Sequence, residues 1–351
     1  MKAMVLTAPG ELVRDEVSHP RSQSGQVIVK VTHSGICGTD YKIFNGSIPV
    51  RYPRIMGHEM AGEVVDVGAG TPRSGEGTPR SGERTLRSGD RVIVDPQLYC
   101  RACFQCRIGQ THLCQHGMLV GRDRDGGFAE FVSVPPSHVF PLPESVDTRT
   151  APLIQVLTTC LHAQRQIDIF LGEFVVVLGL GVTGQLHVQL AKARGATVIG
   201  VTRSADKRAL AETLGADLTI AGGEGAVARV REATEGRGAD VIVETTGVVP
   251  SLSSAIDMAR SGGRLLLFGI ITAKEGALPF YDLYFKELAL INARVAKTED
   301  YPAAIGLVER GQVRLDPLIS DVVPLEQLRS AIGMLGSDSA RRMKIILDHG
   351  V

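Results

Sequence analysis

The run Phe174-Val-Val-Val-Leu178 leads straight into Gly179-Leu180-Gly181-Val182-Thr183-Gly184, and Val182 to Arg194 then carries helical spacing. No other segment restricts the fold as tightly. An unbroken apolar run centred on three β-branched valines reads as a strand buried on both faces. The three glycines serve separate ends: the first permits a tight turn, the second lets backbone approach a ligand, and the third lets helix and strand pack closely. Such a turn points a helix N-terminus at an anion. It predicts a dinucleotide pyrophosphate site over Gly179, Leu180, Gly181, Val182, Thr183 and Gly184.

The surrounding chain agrees. Ala196-Thr-Val-Ile-Gly-Val201, Asp240-Val-Ile-Val243 and Gly263-Arg-Leu-Leu-Leu-Phe268 repeat the apolar strand. Strands alternating with helices predict an α/β fold with a doubly wound parallel sheet. The first third differs. Gln26–Val31, Gly62–Val67 and Arg91–Val94 are short β-branched runs between Gly, Pro and Ser, which predicts a compact antiparallel β module. The tail from about residue 296 turns helical and ends strand-like at Lys344-Ile-Ile-Leu347. A length of 351 residues fits two domains.

Lys+Arg and Asp+Glu both number 38, so the formal charge is zero and a nucleic-acid partner held by bulk charge is not expected. No apolar run approaches the roughly 20 residues that span a bilayer. Met1 to Pro9 lacks the apolar stretch of a signal peptide. A soluble, cytoplasmic protein without a membrane partner is the expectation. One segment stands apart: Thr71–Gly77, Thr78–Arg84 and Thr85–Arg91 form a seven-residue tandem repeat. Gly, Pro, Ser and Arg bury no core, so residues 71–91 read as a duplicated surface loop, with an anion- or partner-binding loop as the alternative.

Six cysteines in a chain of this size do not suggest a disulfide scaffold. Four of them follow Cys100-x2-Cys103-x2-Cys106-x7-Cys114. Four thiolates this close can close on one tetrahedral ion and leave no position open, which describes a structural zinc site. Free buried thiols and an iron–sulfur cluster are the alternatives. Cys37 in Gly35-Ile-Cys-Gly-Thr-Asp40 and His58-Glu59 after Gly57 are each weak signals alone. Paired, they supply half of a second zinc site. After the glycine turn the next strand ends Gly200-Val-Thr-Arg203-Ser204, without the acid that accepts from a ribose 2′-hydroxyl. Arg203 and Ser204 can instead bind a 2′-phosphate, which favours NADP(H) over NAD(H).

Gly35-Ile-Cys-Gly-Thr-Asp40, Gly57-His-Glu59, Gly89-Asp-Arg-Val92, the four-cysteine segment and Gly179–Gly184 together resemble the zinc-dependent medium-chain dehydrogenase family, which includes alcohol, polyol, threonine and glucose dehydrogenases. The resemblance covers nearly the whole chain. It implies a GroES-like β-rich catalytic domain over residues 1–150 and 296–351, with a structural zinc lobe at 97–116, and a Rossmann domain over 151–295. It also implies a catalytic zinc on Cys37 and His58, with Glu59 as a neighbouring and sometimes direct ligand. Thr39 would carry the alcohol proton outward, and Asp40 would orient His58. One departure is Gln155, where the family usually has Glu, Asp or Cys. Gln offers a neutral oxygen, and Glu59 can then enter the shell and restore the charge. Cys160, five residues past Gln155, reads as a buried helix cysteine rather than a replacement ligand, His162 and His33 read as structural, and Lys42 lies near a relay position in relatives, with a surface role as the alternative.

The implied substrate is an alcohol, polyol or sugar, or the matching carbonyl, and the implied assembly a homodimer or homotetramer. A strand Ala277-Leu-Pro-Phe280 is a candidate for pairing across such an interface. Two other readings remain open on the residues: a zinc-free quinone or enoyl reductase of the same superfamily, and a non-catalytic dinucleotide-binding protein.

Overall fold

The computed structural model describes residues 1–21, 23–68, 86–337 and 342–350. Most of the tandem repeat, residues 71–85, lies outside the described residues. The chain divides into two units: Met1–Val156 with Lys297–Glu309 and the segment from Ile319 onward, and Leu157–Ala296 with Arg310–Leu318.

In the second unit, strand Phe174–Leu178 shows why its sequence is apolar throughout. Val175 and Val177 face a cluster with Val188, Ala191, Val198 and Leu266. Val176 and Leu178 face the opposite cluster with Ile199, Ala255, Ile256 and Leu265. A strand covered on both sides has no polar face to alternate with. The six strands run Leu218–Ala221, Thr197–Thr202, Phe174–Leu178, Ala239–Glu244, Ala259–Leu267 and Ala289–Asn292 across one sheet. All five pairings are parallel. The first strand in sequence thus sits centrally, with later strands added on both sides. Its carboxyl end is the topological switch point, where such sheets bind ligands.

The first unit is antiparallel at its heart. Val27–Gly35 pairs with Glu59–Val67 and with Phe131–Val134, and Glu59–Val67 pairs on with Arg91–Val94. The chain comes back to this sheet at its end. Lys344–Asp348 lies antiparallel to Val27–Gly35 and parallel to Ile319–Pro324. A core of Leu6, Ile36, Ile43, Met56, Phe128, Leu328, Ile332, Ile345 and Leu347 joins both ends of the chain. Cys100–Cys114 projects between two short paired strands, Gln97–Leu98 and Met118–Leu119.

The expected strand Ala277–Phe280 is not one. Residues 277–279 are irregular, and Pro279 precedes helix Phe280–Phe285 as its N-cap residue. Proline has no N–H to give to a ladder, whereas it is well tolerated where a helix starts.

Candidate metal and cofactor sites

Cys37 lies just past strand Val27–Gly35 and is the N-cap residue of helix Gly38–Phe44. Its backbone N–H donates to Oδ2 of Asp40 at 2.8 Å. The other oxygen of Asp40, Oδ1, lies 3.3 Å from Nδ1 of His58. That approach is off the line of a hydrogen bond, and both atoms are buried without another partner among the described residues. Burial pulls the His58 imidazole down, but the charge of Asp40 and contact with the Cys37 thiol outweigh it and hold the ring well above its usual value. Asp40 thus accepts from the Cys37 backbone and sets its charge against the His58 ring, in the place of a ligating histidine's second partner.

Glu59 opens the neighbouring strand and stands across from Gly35 in register. A Cβ at residue 35 would lie 2.1 Å from Oε2 of Glu59, so only glycine admits the carboxylate there. Nζ of Lys344 donates to Oε1 and Oε2 of Glu59 at 2.8 and 2.7 Å. Burial alone would lower the Lys344 ammonium, and the Glu59 charge reverses this and raises it. One ligand atom each from Cys37, His58 and Glu59 lies within 4.8 Å of the others. Sulfur, imidazole nitrogen and carboxylate oxygen form a donor set that suits zinc. Thr39 is half-buried on the first turn of the Gly38–Phe44 helix, and Gln155 half-buried on the first turn of helix Pro152–Arg165.

The four-cysteine lobe is a second cradle. All four thiols are free, and their sulfurs lie within 4.8 Å of one another. Cys100 and Cys106 sulfurs are 4.0 Å apart, and Cys103 and Cys114 sulfurs 3.8 Å. Zinc–sulfur bonds of about 2.3 Å give a tetrahedron with edges of about 3.8 Å, so the sulfurs already stand near those spacings. Backbone N–H groups favour thiolates here: Cys100 N–H donates to Cys114 Sγ and Cys103 N–H to Cys100 Sγ, both at 3.3 Å. The N–H groups of Cys106 and Gln115 bring the Cys103 thiol down to about 6, whereas burial and the neighbouring sulfurs push the Cys106 thiol up to about 12. These donors fit a closed, fully sulfur-ligated ion.

At the glycine turn each residue has its own geometry. Gly179 sits at φ 88°, and a Cβ there would meet Thr245 Oγ1 at 2.7 Å. A Cβ on Gly184 would be 1.9 Å from the Gly179 carbonyl oxygen, while one on Gly181 would meet nothing within 4 Å. Gly181, the N-cap residue of helix Val182–Ala193, therefore leaves an open approach, flanked by Leu180, Val182 and Thr183. Thr245, which the sequence reading passed over, reaches the Leu178 and Gly179 carbonyls at 2.9 Å and braces the turn.

At the end of the next strand Arg203 is exposed, and Ser204 caps helix Ala205–Thr213 by accepting from the Lys207 N–H. Arg208 lies one helical turn on and donates to the carbonyls of Thr202 and Arg203 at 2.9 and 3.0 Å. Its cation stands at the same strand end, and its spacing from the Ser204 cap was the available signal. Of the other residues singled out, Cys160 is fully buried with its thiol pushed up by burial and facing the Thr183 carbonyl. His162 is buried, and His33 faces Thr32 Oγ1. Among the described residues no helix is long and apolar enough to cross a membrane.

A GroES-like β unit followed by a parallel sheet built outward from a glycine-turn strand defines the two-unit, nicotinamide-dependent oxidoreductase class. Residues 23–144 match the alcohol dehydrogenase GroES-like domain, and residues 182–310 match the zinc-binding dehydrogenase domain. Sorbitol dehydrogenase of Halalkalibacterium halodurans is 31% identical over 354 residues, covering 99% of each chain. The crystal structure of a putative zinc-binding dehydrogenase from Sinorhizobium meliloti bound to NADP aligns with a TM-score of 0.89 at 31% identity, over 99% of this chain and 98% of that one. Galactitol-1-phosphate dehydrogenase from Escherichia coli aligns with a TM-score of 0.89 at 28% identity, over 99% and 100%. The chain belongs to the zinc-dependent medium-chain dehydrogenase family.

Proposed function

We propose that this protein transfers hydride between an alcohol, polyol or sugar, or the matching carbonyl, and a nicotinamide cofactor, NADP(H) in preference to NAD(H), using one catalytic and one structural zinc. The observation that carries the reading is the convergence of Cys37, His58 and Glu59 beside the Asp40 brace. The sorbitol and galactitol-1-phosphate enzymes among the relatives support a polyhydroxylated substrate. The NADP-bound neighbour supports the cofactor.

Bound at Cys37 and His58, zinc would supply Lewis acidity toward the substrate oxygen, and a nicotinamide cofactor would supply the hydride chemistry. The chain supplies the rest. Cys37 and His58 hold the ion, with Glu59 or Gln155 within the same proposal as the further oxygen. Asp40 faces Nδ1 of the imidazole at 3.3 Å and holds the ring by charge. The Thr39 hydroxyl passes the alcohol proton outward and returns it in the reverse direction. Cys100, Cys103, Cys106 and Cys114 hold the structural ion. The backbone at Leu180–Thr183 receives the pyrophosphate, and Arg203, with Arg208 beside it, meets the 2′-phosphate. Residues 1–150 and 296–351 form the catalytic domain and 151–295 the cofactor domain.

A cytoplasmic homo-oligomer completes the proposal. Supporting it, helix Phe280–Phe285 exposes Phe280, Tyr281, Tyr284 and Phe285, and Ala289–Asn292 ends its sheet. Unpaired edges and aromatic patches of this kind are suited to a second copy.

Metal analysis with a substrate panel run on NADP⁺ and NAD⁺ tests the reading. Two zinc ions per chain and turnover of polyols or secondary alcohols are expected, with Cys37→Ala abolishing turnover and one equivalent of zinc. Arg203→Ala is expected to weaken NADP⁺ binding by about 10-fold or more while sparing NAD⁺. Rates with NAD⁺ equal to or above those with NADP⁺ would overturn the cofactor assignment, and zinc at the cysteine lobe alone would overturn the chemistry.

A further inference from the structure

The Glu59 carboxylate has two neighbours that compete for it. On one side are the sulfur of Cys37 and the imidazole of His58, within 4.8 Å. On the other is Lys344, brought in at the start of the returning strand Lys344–Asp348. Its ammonium has three N–H donors, and all three have acceptors: Glu59 Oε1 at 2.8 Å, Glu59 Oε2 at 2.7 Å and the Ile36 carbonyl at 3.2 Å. Both side chains are buried. The third contact matters because it anchors Lys344 to the residue just before Cys37, so its position does not depend on Glu59 alone. The carboxylate also has its own seat, the space at Gly35 that any Cβ would fill.

We propose that Lys344 is a positioning residue that keeps the Glu59 carboxylate out of the inner shell of the catalytic metal, so that of the two further oxygens proposed above Gln155 is the one left to the ion. The inference rests on the zinc reading of the Cys37–His58 site. To coordinate the ion, Glu59 must turn an oxygen away from a buried ammonium and leave that charge incompletely paired, which is costly. With Lys344 in place the pair is neutral, and the anionic charge in the inner shell of the metal is the Cys37 thiolate alone, with Asp40 behind the imidazole. Without Lys344 the carboxylate is a free buried anion beside a dication and moves onto it. Lys344 therefore sets both how tightly the metal is held and how much positive charge it keeps for the substrate.

The test uses the full chain with cobalt in place of zinc, and the four-cysteine lobe as internal reference. Visible bands report the inner shell, and chelator competition reports affinity. Glu59→Gln is expected to leave the bands of the Cys37–His58 site in place. Lys344→Met is expected to shift them and to tighten metal at that site by about 10-fold, with the lobe unchanged. Lys344→Arg, which keeps the cation, is expected to retain the native spectrum. So is the neutral double variant Lys344→Met with Glu59→Gln, which has no carboxylate to release. A band shift in Glu59→Gln shows that Glu59 already coordinates and overturns the proposal; so does a Lys344→Met variant with native bands and affinity. If Lys344→Met does not fold, Glu59→Gln and the neutral double variant decide, since a shifted spectrum in either refutes it. Failure of the underlying zinc reading looks different: the native chain then takes cobalt at the lobe only.

Discussion

Two glycines three residues apart, Gly181 and Gly184, should respond to the same added methyl group in opposite ways. A Cβ on Gly184 would stand 1.9 Å from the Gly179 carbonyl oxygen, and contacts below 3.0 Å are essentially never tolerated. Helix and strand must therefore part by about 1 Å at Gly184→Ala, and forced repacking of this kind costs about 1–3 kcal/mol. Alanine in a helix recovers about 1 kcal/mol of that. The net expectation is a loss of up to about 2 kcal/mol from the second unit, with weaker cofactor binding following from the displaced turn. Gly181→Ala meets nothing within 4 Å, and its φ of −70° suits any residue. Its stability should fall by about 0.5–1 kcal/mol, from a poorer N-cap. The methyl group would nonetheless occupy the approach left for a pyrophosphate, so cofactor affinity should fall by about 10-fold or more. Denaturant unfolding and cofactor fluorescence titration of both variants separate the two effects. The reasoning is refuted if Gly181→Ala unfolds as early as Gly184→Ala, or if it binds NADP⁺ as the native chain does.

Cys103→Ser should remove one zinc equivalent and lower the unfolding midpoint of the first unit, while the metal at Cys37 and His58 stays; metal analysis and calorimetry check it, and retention of both ions would refute the lobe assignment. His187 is fully buried, and burial pushes its imidazole down to about 3. An unfolded chain protonates the same ring near its ordinary value of 6.5, so as pH falls between those values only the unfolded state gains the proton. Stability should then drop by roughly 1.4 kcal/mol per pH unit from this residue. His187→Gln should flatten the dependence by that amount between pH 6 and pH 4, and parallel slopes for variant and native chain would contradict the burial argument.

Features written in consecutive residues were readable without the fold. The glycine turn and the four-cysteine segment need only local geometry, since their spacing is itself the structure. The Cys37, His58 and Asp40 grouping needed the resemblance, because a strand pairing brings those residues together. Lys344 was out of reach altogether. It meets Glu59 across 285 residues of sequence, and a lysine before an apolar strand looks like any solvated strand end. Gly35 shows the same limit: its need for glycine comes from a side chain on another strand. Ala277–Phe280 was misread because apolar residues on either side of a proline suggest a strand, whereas Pro279 marks a helix start.

The returning strand has a consequence for synthesis. Lys344–Asp348 is the piece of the first unit's sheet that sits between Val27–Gly35 and Ile319–Pro324. On the ribosome, the half that is translated first must therefore wait, both Lys344–Asp348 and Ile319–Pro324 still absent from its sheet, until the other half has emerged. The cofactor-binding half is free to fold in the meantime, since its six strands are contiguous in the message. Loss of Lys344–Asp348 should accordingly be as damaging to the metal-binding half as loss of one of its early strands.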